Sequence, residues 1–443
     1  MLYKTPHNAL VGDEVFYFFQ ATKIKSLEFV WFNYTQPPLY TAILALFPAN
    51  IILLRTVNTV ITTLSLVLMY LITRGSGRYI RLLSVFITLI TPIYISTTIH
   101  LYTESLFLLL LMLLIFFYSA YYKNPQNNNL LVSCGLLCLA LIVTRSVTPI
   151  FLLVLALDVC INVVINKKPR RLLILALVAL AIGISPLLFS GGFTINKLTT
   201  PPPARLHDCI KVYAILGIPL LTLYLASLGH FVIKKKKYTE HEQGLLLLVH
   251  IMILGYTLSF PFFKDYFPRY LMVLIPLMYL TITFFLFKTN RYFALIAGIV
   301  LVLVAITNFS SYLTTPNAEY DNRYYLTTPK TCVEITNWQY SCGNQQQAIR
   351  LPFFAVPEYS WCNFSAKYTA NDANNTLVIN YMSDFAYVNI DTTQVGKADS
   401  IFHTNLIPFM QSISSHTVTL IVRNEDNIGG IGQVMLCDQN FIL

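Results

Sequence analysis

Asp13 and Glu14 are adjacent carboxylates, followed by Val15-Phe16-Tyr17-Phe18-Phe19 and then by Gln36-Pro37-Pro38-Leu39-Tyr40. Paired acids have two readings here. They are a solvated helix start, since negative charge suits a first turn, or a general base with a neighbour that orients it. Position gives the second reading its weight, because acids are scarce along the apolar part of the chain. Between residues 44 and 309 there are six: Glu104, Asp158, Asp208, Glu240, Glu242 and Asp265. Glu104 opens an apolar run within His100-Leu101-Tyr102-Thr103-Glu104, either as a first-turn acid capped by Thr103 or as a second working carboxylate. Asp158 lies near the middle of an apolar run, where an isolated charge costs about 2.5–3.5 kcal/mol. It must face the interior and be paired or protonated, in a structural or a functional role. Glu240 and Glu242 adjoin a lysine run and read as a solvated charge cluster.

Three cations are the counterpart: Arg145, Lys264 and Arg269. A basic group at a membrane surface is commonly an anchor to lipid headgroups. Arg269, in Asp265-Tyr266-Phe267-Pro268-Arg269-Tyr270, stands at a proline-marked start of an apolar run and close to Lys264, so it can clamp a phosphate bidentately. Tyr40, His100, Tyr102 and Tyr270 flank these charges as candidates for acceptor binding or support. Carboxylates that take a proton from a hydroxyl, with cations that hold a phosphate, suit transfer of a group from a lipid-linked phosphate donor to an acceptor hydroxyl.

The elements that must position them are transmembrane. Of the 443 residues 56% are hydrophobic and 11% charged, against about 25% charged in soluble proteins. The chain is therefore expected to be a polytopic α-helical membrane protein. Its +10 net charge does not point to nucleic acid, because the cations fall between apolar segments rather than on one face. Hydropathy predicts ten spans near 52–73, 82–99, 104–121, 130–143, 149–165, 172–190, 210–233, 244–260, 271–288 and 292–309. Thr144 to Pro149 breaks one long run in two, and its short first half reads as a short or re-entrant element. Alternate loops, with Lys288, carry 14 Lys or Arg, including Lys167-Lys168-Pro169-Arg170-Arg171 and Lys234 to Lys237, against five in the others, or seven with Arg55 and Lys211. The first set marks the cytoplasmic face. Asp13, Glu14, Glu104 and the chain from 310 onward then lie outside, in periplasm or lumen.

This parity leaves the N-terminus outside with no span to carry it there. Either a helix lies upstream of Met1 or the run from Val15 to Phe32 partly inserts; the upstream helix is expected, because Val15 to Phe19 followed by Lys23 and Lys25 reads as a helix lying in the membrane interface. Three domains result: 1–51, an outer loop with the Asp-Glu motif; 52–309, the bundle; and 310–443, an outer β-rich domain. The last is read from alternating runs such as Thr376-Leu377-Val378-Ile379, His416 to Arg423 and Gln433 to Cys437, with a turn from Asn424 to Gly430. Cys332, Cys342, Cys362 and Cys437 fall there, an even number that allows up to two disulfides and leaves three pairings open. Asn33, Asn308, Asn363 and Asn374 each begin an Asn-x-Ser/Thr triplet, an acceptor site only where the host has the machinery.

The order of these motifs resembles a family. Asp13-Glu14, then Gln36-Pro37-Pro38-Leu39-Tyr40, then Leu54-Arg55-Thr56-Val57-Asn58, Tyr102-Thr103-Glu104-Ser105-Leu106-Phe107, Thr144-Arg145-Ser146 and Phe267-Pro268-Arg269-Tyr270-Leu271 look like the GT-C superfamily over roughly residues 10–290. These are membrane glycosyltransferases using polyprenyl-phosphate sugars, of the mannosyltransferase and aminoarabinose-transferase kind. The resemblance implies Asp13 as catalytic base and Glu14 as its neighbour, orienting the acceptor or helping to hold a metal. It implies Glu104 as the second acid, with Arg269 and Arg145 on the donor phosphate. Inverting transfer with release of polyprenyl phosphate would result, from a donor such as a dolichyl phosphate sugar to an acceptor glycan, lipid or protein. Some relatives use a divalent cation (Mg or Mn); Asp13, Glu14 and Glu104 are the residues that would hold it. The outer domain resembles those to which acceptor binding is commonly ascribed.

Two other readings stay open. A transporter or flippase for a lipid-linked saccharide is favoured by Asp158 alone, and the paired repeats common in transporters are not visible. A non-catalytic membrane scaffold whose outer domain binds glycan or protein is the third.

Overall fold

A computed structural model describes residues 9–11, 14–26, 38–145, 147–164, single positions between 175 and 181, 216–259, 268–314, and the strands between 323 and 438. Two compact units emerge: Tyr17–Thr314, and Met1–Phe16 with Thr315–Leu443.

The first unit is helical. In chain order its helices are α1 (Glu14–Lys25, whose first three residues belong to the other unit), α2 (Pro38–Ala45), α3 (Ile51–Ile72), α4 (Arg78–Ile90), α5 (Pro92–Thr98), α6 (Thr103–Lys123), α7 (Asn128–Ile142), α8 (Thr148–Val164), α9 (Ile218–Ile233), α10 (Glu240–Ser259), α11 (Leu274–Lys288) and α12 (Arg291–Thr314). Among the described residues four stretches, Ile51–Ile72, Thr103–Lys123, Glu240–Leu258 and Leu271–Lys288, are long and apolar enough to cross a membrane. Shorter apolar helices lie at Asn128–Ile142, Thr148–Val163, Ile218–Ile233 and Arg291–Thr307.

The solvent of this unit is legible in α3. It buries Arg55, Asn58, Thr62 and Ser65 while exposing Ile52, Val60, Leu64, Val67 and Leu71. The charged and amide groups turn inward while a row of aliphatic side chains faces out, as on a helix facing hydrocarbon. Helix α11 is apolar on all sides, and Leu274 to Leu286 are all buried, so it is a central post of the bundle. The chain is a polytopic α-helical membrane protein.

Several expectations change at this level. The span expected at 82–99 is two helices, because Pro92 has no N–H to donate and disfavours helical backbone at Thr91, which is extended at φ −65°, ψ 125°. Thr103 does not cap α6. Tyr102 is the capping residue, with no side-chain cap bond, and Thr103 is the first helical residue. Glu242 is not a solvated charge. It accepts from Thr239 N at 2.8 Å, while Thr239 Oγ1 accepts from Glu242 N at 3.3 Å, a reciprocal cap that ends two orphan donors. It also pairs with Lys288 Nζ at 3.0 Å. Helix α1 is 12 residues, about 18 Å long, and it buries Tyr17, Phe18, Gln20 and Ala21 against protein. The break between Thr144 and Pro149 falls where expected, and the span at 172–190 lies almost wholly outside the described residues.

The second unit is built from antiparallel strands. A six-stranded sheet has the order Thr393–Ala398, Phe385–Ile390, Ser415–Arg423, Trp361–Thr369, Trp338–Cys342, Gln345–Ile349. A four-stranded sheet has the order Asn405–Met410, Asn374–Ile379, Val434–Asp438, Cys332–Glu334. Their inner faces share one core: Trp338, Phe364, Val388 and Leu420 from the first sheet, and Leu377, Ile379, Ile407 and Val434 from the second. Alternation along Trp361–Thr369 places every second side chain inside, as period-2 patterning requires. Of the three pairings, Cys342–Cys362 is formed. Cys437 is disulfide-bonded too, and Cys332 stands opposite it in the register. The turn expected at Asn424–Gly430 gives way to a strand by Gly429, where Gly429–Ile431 pairs with Phe353–Val356.

Candidate functional site

The two ends of the helical unit differ. Lys123, at the end of α6, lies at the end where Ser119 Oγ meets His241 Nε2 at 2.6 Å and where Lys288 pairs with Glu242. Lys234 to Lys237 and Arg291 adjoin the same helix ends. Glu104 is at the opposite end, in the first turn of α6.

Around Glu104 two turns are pinned together. Arg145, in the turn between α7 and α8, places Nη1 2.6 Å from Glu104 Oε1, with side-chain exposures of 13% and 4%. The turn is shaped by Thr148, whose Oγ1 donates to Leu141 O at 2.7 Å and to Arg145 O at 2.6 Å. Glu104 Oε2 is also approached by Thr103 Oγ1 at 3.4 Å. A guanidinium at the edge of a low-dielectric bundle needs such a counter-charge.

Helix α2 braces both turns. Leu39 N donates to Val143 O at 2.9 Å, tying the Pro-Pro-Leu-Tyr segment to the turn that carries Arg145. The next residue, Tyr40, is fully buried and donates its hydroxyl to Asn58 Oδ1 at 2.9 Å. Asn58 Nδ2 then lies 2.5 Å from His100 O, 3.0 Å from Thr98 O and 3.0 Å from Ser105 Oγ. Helix α5 ends at Thr98, so these carbonyls lack intrahelical partners, and an amide from α3 satisfies them. Tyr17 of α1 packs edge-on against Tyr40, ring centroids 5.2 Å apart. His100 and Tyr102, both buried, bring their rings to 5.7 Å at the start of α6.

Among the anticipated residues, then, the structure brings Tyr40, His100, Tyr102, Glu104 and Arg145 into one constellation. Arg269 and Tyr270 belong to a 3-10 segment, Pro268–Val273, that packs against α5 and α6; their side chains lie outside the described residues. Asp13 and Lys264 also lie outside them. Glu14 is the first residue of α1 and is buried. Asn58 is the participant whose role the sequence did not disclose. Its signal was an amide inside an apolar span, at the end of Leu54-Arg55-Thr56-Val57-Asn58, with nothing nearby in the chain to name its partner. Arg55, just under one turn before it, is also buried, at 2% exposure. Among the described residues no cluster of three His, Cys, Asp or Glu could hold a metal ion, and Glu104 already has one oxygen on a guanidinium.

No family model and no curated protein matches this chain. Solved structures do. They include ArnT from Cupriavidus metallidurans bound to undecaprenyl phosphate, with TM-score 0.49, and the same protein in the apo state, with TM-score 0.47. Each is 14% identical over 70% of this chain, covering 63% and 62% of the respective ArnT chains. The chain thus spans about three-fifths of the length of these structures.

Proposed function

We propose that this chain is a membrane glycosyltransferase of the GT-C type, moving a sugar from a polyprenyl-phosphate donor to an acceptor hydroxyl at the extracytoplasmic face. One observation carries the reading: an Arg145–Glu104 pair, Glu104 buried and Arg145 partly so, braced on two sides by α2 at the end of the bundle away from the lysines. An arginine fixed in this way is already positioned and its charge already offset, so little reorganisation accompanies donor binding. Undecaprenyl phosphate, bound in one of the ArnT structures, exemplifies the leaving group.

In the proposed reaction Asp13 takes the acceptor hydroxyl's proton. The oxygen attacks the anomeric carbon, the bond from that carbon to the phosphate oxygen breaks, and polyprenyl phosphate leaves with the configuration inverted. Arg145, with Arg269 and Lys264, neutralises charge growing on the leaving phosphate. Glu104 orients Arg145 rather than moving a proton, and Glu14 orients the acceptor. A divalent cation, where used, would rest on Asp13 and Glu14, because Glu104 is engaged by a guanidinium. The face assignment rests on Lys123, Lys234 to Lys237, Lys288 and Arg291 marking the cytoplasmic end.

The test is transfer from a lipid-linked sugar in proteoliposomes. Asp13→Asn should abolish covalent product at unchanged protein level, and Arg145→Ala should raise KM for the donor at least tenfold. Full activity in Asp13→Asn would remove the assigned base. Movement of the lipid-linked sugar without covalent product would replace transfer with transport.

A further inference from the structure

The outer face of the six-stranded sheet carries an uncommon grouping. Trp361 is 46% exposed, on a strand whose alternate residues Cys362, Phe364, Ala366 and Tyr368 are buried. Across the sheet Trp361 stands opposite Arg423, which stands opposite Phe385; one pleat along, Asn363, Ile421 and Tyr387 line up in the same way. All six therefore share one face. The Trp361 and Tyr387 rings are nearly parallel, 8° apart with centroids at 6.1 Å, and the Phe385 ring meets both edge-on at 5.5 and 5.7 Å. Cations flank the rings: the Arg423 guanidinium is 5.4 Å from the Trp361 centroid, and Lys397 Nζ is 4.6 Å from that of Phe385.

We infer that this face binds a saccharide chain bearing acidic groups, with Trp361 and Tyr387 as the platform. A pyranose ring has an apolar C–H face that stacks on aromatic rings and a rim of hydroxyls that needs donors and acceptors. Both are present. Beyond the rings the same face continues with Asn363, then Ser365 opposite Thr419, which is opposite Asn389. Arg423 and Lys397 supply charge for carboxylate or phosphate substituents. A lipid surface fits less well, because a row of amides and hydroxyls gains nothing from acyl chains. The site differs from the Arg145–Glu104 constellation and does not rest on the transfer reading.

The test uses the full chain in detergent micelles, made in a bacterial host so that Asn363 carries no glycan. Octagalacturonate, maltooctaose and phosphatidylglycerol vesicles are titrated by tryptophan fluorescence and calorimetry. Octagalacturonate should bind saturably and more tightly than maltooctaose. Trp361→Ala and Tyr387→Ala should weaken it at least tenfold, with partial recovery in Trp361→Tyr. Arg423→Gln should weaken octagalacturonate and leave maltooctaose unchanged, and Arg145→Ala should alter neither. Trp361 is outside the core, and an intact Cys342–Cys362 bond reports folding in each variant. No saturable octagalacturonate binding by the parent chain, or unchanged binding in Trp361→Ala, overturns the inference. So does a preference for vesicles that Trp361→Ala removes.

Discussion

Arg145 and Glu104 are 2.6 Å apart, joined across two turns that α2 braces from a third direction. A carboxylate and a cation that read separately as proton acceptor and phosphate clamp are one unit. Breaking such a largely buried pair costs up to about 3–5 kcal/mol, because the survivor loses its counter-charge. Glu104→Gln and Arg145→Gln should each lower stability by that order in detergent melts, and the double variant should lose less than the sum. The swapped pair, Glu104→Arg with Arg145→Glu, should recover much of the stability and, on the proposed donor contact, none of the transfer, since position 145 no longer carries a cation. Recovery of transfer in the swap would make the pair merely structural.

Asn58 offers a graded test of the brace. Tyr40→Phe removes the bond to Asn58 Oδ1, at a cost of about 1 kcal/mol. Asn58→Ala removes the amide shared by the carbonyls that follow α5, at about 1–3 kcal/mol. Asn58→Asp should be worst, since it turns an acceptor toward carbonyl oxygens. Thermal unfolding should rank the variants in that order, and transfer should fall with it. Equal effects in all three would mean that the carbonyls find other donors.

What the sequence disclosed depends on what each signal measures. Hydropathy marks apolar stretches, so the bundle was visible, and period-2 alternation in His416 to Arg423 marked the sheet. Hydropathy does not register a missing N–H, so the run through Pro92 read as one span. Asn58 stayed unassigned because several of its partners are backbone carbonyls, which no residue type announces, and its side-chain partners Tyr40 and Ser105 are remote in the chain. Glu242 looked solvated beside Lys234 to Lys237 because its counter-charge, Lys288, is remote in the chain. The pairing of Glu104 with Arg145 likewise depends on how α6 and α7 fold back, which neither residue encodes locally.

The β-rich unit should respond to acid through Asp391. His416 Nδ1 lies 2.7 Å from Asp391 Oδ2, and Thr417 N donates to Oδ1 at 2.8 Å. The bond from His416, then that from Thr417, holds the Asp391 carboxyl below its ordinary range. A depressed folded value stabilises above the unfolded value, about 3.9, and that contribution is lost as pH falls through the folded one. Asp391 has φ 50°, which asparagine also tolerates. Asp391→Asn should therefore flatten the acid limb of stability without straining the turn. Melts of both proteins from about pH 6 downward should converge at low pH; a constant gap at every pH would deny the linkage.

Asp158 decides between transfer and transport. Its Oδ2 accepts from Tyr118 at 2.7 Å and from Asn162 Nδ2 at 2.9 Å, and Tyr122 donates to Asn162 at 3.3 Å. These bonds join α6 to α8 in the interior, which is the work of a structural tie. Asp158→Asn keeps an oxygen for both donors, so protein level and transfer should stay within about twofold, a change under 0.5 kcal/mol. Tyr118→Phe removes a donor from a buried carboxyl and should cost about 1–3 kcal/mol. A translocating carboxylate behaves in the opposite way, since its charge or proton is the point. Vesicle assays of Asp158→Asn in which lipid-linked sugar stops moving at normal protein level would establish Asp158 as a working group and favour transport.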